Sequence, residues 1–460
     1  MIIPAFIDSH LHILGIGYYE DIINLNKSKS IAEIITLVEK SDRDLVIARG
    51  FNQDQFKTKA MPTKNDFLNI KKPLVLFRIC GHVAVVNQAM LDLIKINQAT
   101  PQIEGGSFDY NTGIFTEKAL GLVYKQIPKP SFEDLKRYLI KANKILISQG
   151  ITKVASDDFS SFGVDFETII KAINAVDEAG LLDVEITEQV NLPIDELKRF
   201  IALGYANKRY HNYKMGPLKI LADGSLGGKT AALNLPYEND LKNFGILTYS
   251  DKELTELVNT ASSVNMDTVI HAIGDRASDQ AIAAIANAQE KYPRKNPNNA
   301  IIHAQLTNHR QIKEMKNYGI GVIVQPIFIN TDIKIIEERI GSRAKESYLF
   351  KSMHNQIITG FSTDSPVEST DPFMNIYCAV TQKSIDYPQL PAFNKKERFT
   401  VKEALKAYTT DNLRFVYDQE HLDYIEIDTD IFAAEVDKIK NIKVLKTYKN
   451  NRLVYERKNS

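Results

Sequence analysis

Two histidines two positions apart, His10 and His12, close the short apolar run Pro4-Ala-Phe-Ile-Asp-Ser9. On a strand, residues i and i+2 face the same side, roughly 6.6 Å apart along the chain, so two imidazoles placed this way can grip one metal ion. A lone His-x-His is a weak motif, because strand-end histidines are more often hydrogen-bonded loop or core residues. Far downstream, however, Lys219, His271, His303 and Asp364 each stand at or near the end of another apolar run. Imidazole plus carboxylate is a sensible ligand set for Zn²⁺ or a similar divalent ion. Such an ion lowers the pKa of a bound water towards ~7 and makes hydroxide available.

The elements that must position these groups follow a regular beat from Gly150 onwards. Strand-like runs occur at Ile151–Ala155, Val184–Val190, Leu218–Ala222, Thr268–Ile270, Ala300–Ala304, Gly321–Val324 and Ile357–Phe361. Helical patterns over 166–179, 195–203, 251–263, 276–290, 309–317 and 344–354 separate most of them. Strand alternating with helix predicts an α/β fold with a parallel sheet. With the first run there are eight strands, which is what a (β/α)8 barrel of TIM type needs, and barrel active sites lie at the C-terminal ends of the strands. The first and second strands are separated by about 140 residues, far too many for one helix. Residues 30–130 are therefore expected to form an inserted lobe over the barrel mouth. Within it, 31–40 and 84–95 read as helices, and Leu45–Ala48 and Pro73–Phe77 as strands. A helix capped by Ser131 follows the lobe. The hydrolase barrel with its insertion would span 1–420. The tail, 421–460, reads as a small β-rich unit with strands at Tyr424–Ile427, Ile442–Tyr448 and Leu453–Tyr455.

Composition excludes several classes. The 57 Lys and Arg balance 57 Asp and Glu, so nothing electrostatic favours nucleic acid or an anionic membrane. Only Cys80 and Cys378 are present, which rules out a disulfide scaffold and suits a reducing cytoplasm. No apolar run approaches the ~20 residues of a membrane span. Gly224-Ser-Leu-Gly-Gly-Lys-Thr230 imitates a P-loop, but that spacing needs Gly where Asp223 stands, and an aspartate there would repel phosphate.

In order along the chain, Phe6-Ile-Asp-Ser-His-Leu-His12, Lys219-Ile-Leu-Ala-Asp-Gly-Ser-Leu-Gly-Gly-Lys-Thr-Ala-Ala-Leu233, His271-Ala-Ile-Gly-Asp-Arg-Ala277, His303-Ala-Gln305 and Ser362-Thr-Asp-Ser-Pro-Val-Glu368 form a specific combination. The sequence resembles the amidohydrolase superfamily, in particular its N-substituted formamide deformylase-like branch. The resemblance implies that His10, His12 and Asp364 hold one metal ion and His271 and His303 a second. Lys219 would bridge the two as a carbamate formed with CO2. A plain lysine ammonium, with a pKa near ~10.4, cannot bind a cation, whereas the carbamate offers two anionic oxygens. Asp364 would be the catalytic proton acceptor and donor.

The same resemblance makes His82, Asp223, Arg276 and Gln325 candidates for contacting substrate, with Asp275 lining the site or capping a loop. The chain also departs from its relatives. Met1 lies almost on the first barrel strand, so the tail is expected to be an incomplete remnant of a composite β-sandwich. Ile302, Cys80 and Phe328 replace polar or acidic residues, which alters the substrate pocket more than the metal ligands. The expectation is a cytoplasmic, metal-dependent hydrolase of non-peptide C–N bonds in small molecules, with one or two zinc ions and a dimeric assembly. Ester hydrolysis at the same centre, or a degenerate homologue that only binds small molecules, are the alternatives.

Overall fold

The computed structural model describes residues 1–53, 56–78, 83–103, 106–117 and 119–458. Eight strands, Phe6–Leu11 (β1), Ile151–Ser156 (β2), Glu185–Val190 (β3), Tyr213–Leu221 (β4), Thr268–Ala272 (β5), Ala300–His303 (β6), Gly321–Val324 (β7) and Thr359–Phe361 (β8), form one sheet in chain order. Every neighbouring pair from β1 to β8 is parallel. Every residue of β1, β2, β6, β7 and β8 is buried. That is why β6 and β7 read as near-continuous apolar runs rather than alternating ones: helices cover one face and the barrel interior the other.

The seam between β8 and β1 is closed largely by side chains. Ser9 Oγ donates to the Phe361 carbonyl at 3.0 Å. The buried Asp8 carboxylate accepts from the Thr363 backbone and hydroxyl. Asn412 Nδ2 donates to the Ile7 carbonyl at 2.5 Å and to the Phe361 carbonyl at 2.7 Å, tying the two strands from below. Gly360 makes room for it, since a Cβ there would lie 2.0 Å from Asn412 Oδ1. Each buried acceptor left without a donor costs ~1–3 kcal/mol. Asn412→Ala should therefore lower unfolding stability by about 3 kcal/mol, measured by urea denaturation, and a loss under about 0.5 kcal/mol would mean the seam does not depend on it.

The tail does not stand alone. Ile2–Pro4 pairs antiparallel with Tyr424–Ile427, which pairs with Val444–Lys449 and then Arg452–Glu456. Asn450 and Asn451, at φ 49° and 63°, make the two-residue left-handed turn that this hairpin needs. Residue 420/421 is not a boundary between compact units, because Met1–Ile16 and Phe132–Ser460 form one and Gly17–Ser131 the other. Thr447 Oγ1, for example, donates to the Ile147 carbonyl at 2.8 Å.

Unit 17–131 has its own six-stranded sheet, built on the cores around Phe115 and Phe51. The expected helix over 84–95 begins instead as a strand, Val83–Val86, and becomes helical only at Gln88–Ile94. Asn87 decides the break: its side chain accepts from Met90 N and Leu74 N, capping the helix and pinning the strand's neighbour. The expected helix over 344–354 is likewise split, with a 3₁₀ turn at Gly341–Glu346 and a short helix at Phe350–His354. Tyr348 between them has φ 53°.

Candidate metal centre

β1 delivers His10 and, one residue past its end, His12. The turn after β8 delivers Asp364, whose Oδ1 lies 3.3 Å from His10 Nε2 and 3.2 Å from His12 Nε2. The ligand atoms of these three residues lie within 4.8 Å of one another. β5 and β6 add His271 and His303, whose rings are 4.4 Å apart, and the His303 ring is 5.9 Å from that of His10. β4 contributes Lys219, only 3% exposed, with Nζ 3.3 Å from Asp157 Oδ2.

Fixed partners set the tautomer of all four imidazoles. His10 Nδ1 meets Gln189 Oε1 at 2.6 Å, and Gln189 cannot be turned round because its Nε2 donates to the Ser9 carbonyl. His303 Nδ1 meets Gln325 Oε1 at 2.7 Å, with Gln325 Nε2 held by Ser362. His12 Nδ1 meets the Asp157 carbonyl at 2.7 Å, and His271 Nε2 meets the Gly224 carbonyl at 3.0 Å. Each partner is an acceptor, so the facing nitrogen carries the proton. In the neutral rings this leaves the lone pairs on Nε2 of His10, His12 and His303 and on Nδ1 of His271, as metal ligation requires.

The electrostatics divide the imidazoles: His10 and His303 are held neutral, whereas His12 takes a proton facing Asp364 that a bound cation would displace. Burial, and then Lys219, hold His10 below its ordinary value, and burial and then His271 hold His303 well below it. Burial also works against protonated His12, but the Asp364 hydrogen bond and the Asp157 charge outweigh it and raise His12 to about 9. Burial would raise Asp364, but the facing imidazoles of His10 and His12 outweigh it and hold its carboxyl well below the usual carboxylate range. The backbone is strained at the same place: His303 and Asp364 have φ 75° and 56°, a left-handed conformation that non-glycine residues adopt at a cost of ~1–2 kcal/mol.

The family described as "Amidohydrolase family" matches residues 1–455 of this chain. The chain is a member of the amidohydrolase family. A relative described as a putative amidohydrolase, from Bacillus subtilis, is 30% identical and is aligned over 99% of this chain and 89% of its own length. The N-substituted formamide deformylase of Arthrobacter pascens is 21% identical over 100% of this chain and 89% of its own. An uncharacterised metal-dependent hydrolase from Pyrococcus horikoshii superposes with a TM-score of 0.79 at 29% identity, covering 95% of this chain and 87% of that one. The fixed tautomers and the buried carboxylate fit the divalent metal ion that this hydrolase family implies.

In this amidohydrolase the other candidate residues fall in different places. Gln325 has both polar ends engaged, on His303 and Ser362. Asp223 accepts from the Ala232, Ile273 and Gly274 amides and lies 3.4 Å from His271 Nε2, so its carboxylate anchors the loops that carry His271. Asp275 accepts from Asn234 and opens the helix Asp275–Lys291. Arg276 is exposed on that helix, its backbone amide on the Ala232 carbonyl. His82 and Cys80 lie outside the described residues. The P-loop-like stretch is the loop after β4, and its Gly224 carbonyl orients His271.

Sequence reasoning missed Asp157 and Gln189. Asp157 follows β2, is 2% exposed, pairs with Lys219 and Asn191, and positions His12 through its carbonyl. Their strands, Ile-Thr-Lys-Val-Ala-Ser and Glu-Ile-Thr-Glu-Gln-Val, carry other polar residues, so nothing local singled these two out. Gln189→Leu should free the His10 ring to turn over and weaken metal affinity by about 10–100-fold. Competition with a chromogenic chelator measures this, and unchanged affinity would remove the orienting role.

Proposed function

We propose that this chain is a metal-dependent hydrolase of a non-peptide C–N bond of the amide or formamide type, acting on small molecules. The observation that carries the reading is the set of four imidazoles with lone pairs fixed by acceptors, gathered with Asp364 at the C-terminal ends of barrel strands. His10, His12 and Asp364 would hold one divalent ion, with zinc the best chemical match, and His271 and His303 a second. Lys219 would join them after reaction with CO2, in which the Nζ–C bond forms and the ammonium releases two protons, leaving a carbamate anion. When bound, the ions supply a water of lowered pKa and polarise the substrate carbonyl.

The chain's own groups do the rest. Asp364 accepts the proton of the attacking water as the O–C bond forms. It returns that proton to the nitrogen as the C–N bond breaks, so the amine leaves neutral. The buried walls around His10, His303 and Lys219 exclude bulk water and strengthen the charges inside.

The decisive experiment is metal analysis of the purified protein joined to a substrate screen. After reconstitution with bicarbonate and Zn, Fe, Mn or Co, the chain should hold one to two equivalents. It should then hydrolyse members of a panel of N-formyl and N-acyl amines, cyclic amides and D-aminoacyl compounds, and lose that activity on chelation. Binding below about half an equivalent per chain would overturn the reading.

A further inference from the structure

A recess of about 390 Å³ opens at the end of the barrel away from the metal ligands. Gly319 and Ile320 lead into β7, and Ile357 and Ile358 into β8, so the recess lies at the N-terminal ends of these strands. Lys316, His354 and Arg414 also line it, and no acidic residue does. The neighbouring carboxylates are matched to other cations. Asp411 is 3.0 Å from Lys406, Glu403 is 2.5 Å from Lys351, and Asp267 is 2.8 Å from Arg294. The charges of Lys316 and Arg414 are left over.

Arg414 is held but not neutralised. Its Nη2 donates to the Pro297 carbonyl at 2.8 Å and to the Gly319 carbonyl at 3.0 Å, which fixes the guanidinium plane, and its Nε is buried with no acceptor. His354 Nδ1 is also buried without a hydrogen bond, with Asp411 Oδ2 3.9 Å away. A guanidinium fixed in one plane offers its remaining N–H groups in set directions, the geometry that suits an oxyanion. Burial pulls Arg414 below its ordinary value, with Asp267 opposing, and a bound anion would add to that opposition. The other walls select the kind of anion. Ile320, Ile357 and Ile358 are apolar, and Ile358 is 39% exposed. Phosphate gains nothing from such a wall, whereas an aliphatic chain is driven onto it. Space is kept at Gly319, where a Cβ would meet nothing within 4 Å.

We propose that this recess binds a small aliphatic carboxylate, its oxygens on Arg414 and Lys316 and its chain on Ile320, Ile357 and Ile358. The site bears on the seam of the barrel. Arg414 ends the 3₁₀ turn Thr410–Arg414, from which Asn412 ties the Ile7 and Phe361 carbonyls of β1 and β8. A ligand held by Arg414 braces that turn. Binding here needs no turnover, so it is independent of the hydrolase reading above.

Calorimetric titration of the zinc-reconstituted protein with sodium butyrate tests the site, with butyramide and sodium chloride as controls. Butyrate should bind saturably with a Kd of about 1 mM or below, and the controls should not bind. Acetate, with less chain to bury, should bind at least about threefold more weakly. Lys316 is exposed on its helix, so Lys316→Glu leaves the core intact while setting a carboxylate at the recess. It should weaken butyrate binding by at least about tenfold, and Arg414→Gln should do the same in protein whose circular dichroism matches wild type. Butyrate should raise the Tm of wild type and leave that of Lys316→Glu unchanged. No saturable binding, or binding of inorganic phosphate in place of butyrate, overturns the proposal. So does butyrate binding that Lys316→Glu retains in full, which would put the carboxylate on the zinc centre instead.

Discussion

Asp364→Asn is expected to lower kcat by about three orders of magnitude on whichever substrate the wild type hydrolyses. The substitution keeps shape and most hydrogen bonding but removes the carboxylate to which we assign the proton transfer from water to the leaving group. It also removes the negative charge that His10 and His12 face at 3.3 and 3.2 Å, so metal affinity should fall as well. The two effects separate on titration with metal. If saturating zinc restores wild-type kcat, Asp364 is a ligand and not the proton carrier. If kcat stays low with the metal sites filled, the acid–base role stands. A rate within about tenfold of wild type at every metal concentration would remove Asp364 from the chemistry altogether.

Lys219→Ala should cost metal and stability together, and the stability loss has a separate cause. Lys219 and Asp157 are 3% and 2% exposed and 3.3 Å apart. Removing one partner of a buried pair leaves the other charge uncompensated, a penalty of about 3–5 kcal/mol. The double variant Lys219→Ala, Asp157→Asn should recover much of that stability without recovering metal. Occupancy of the second ion and turnover should drop in both variants, and bicarbonate or a short carboxylate should restore part of each by filling the space the carbamate would occupy. Full metal occupancy in Lys219→Ala, measured by elemental analysis, would mean that Lys219 bridges nothing and serves only Asp157.

The comparison of chain and fold is instructive at particular residues. The barrel strands were readable because a parallel sheet buried on both faces demands long apolar runs, and its period is set by the helix that must return between strands. The candidate ligand residues stood out because costly polar side chains stood at the ends of those runs. The break at Asn87 was not readable, because the same apolar stretch satisfies a helical or an extended pattern until one side chain chooses its backbone partners. Nor was the strand Ile2–Pro4, too short to register alone and specified only by its partner at Tyr424–Ile427, more than four hundred residues away.

The sequence by itself determined the family, the barrel, and the candidacy of His10, His12, Lys219, His271, His303 and Asp364, since these depend on residue type and on local apolar patterning. Tertiary structure alone decided which imidazole nitrogen is free. That choice belongs to Gln189, Gln325 and the carbonyls of Asp157 and Gly224, groups that share no sequence neighbourhood with the rings they orient. It also decided that Lys219 faces Asp157 and that Asn412 closes the seam. The physical reason is the same in each case: a hydrogen bond is directional and short, so its partner is known only once the chain has brought the two atoms within about 3 Å.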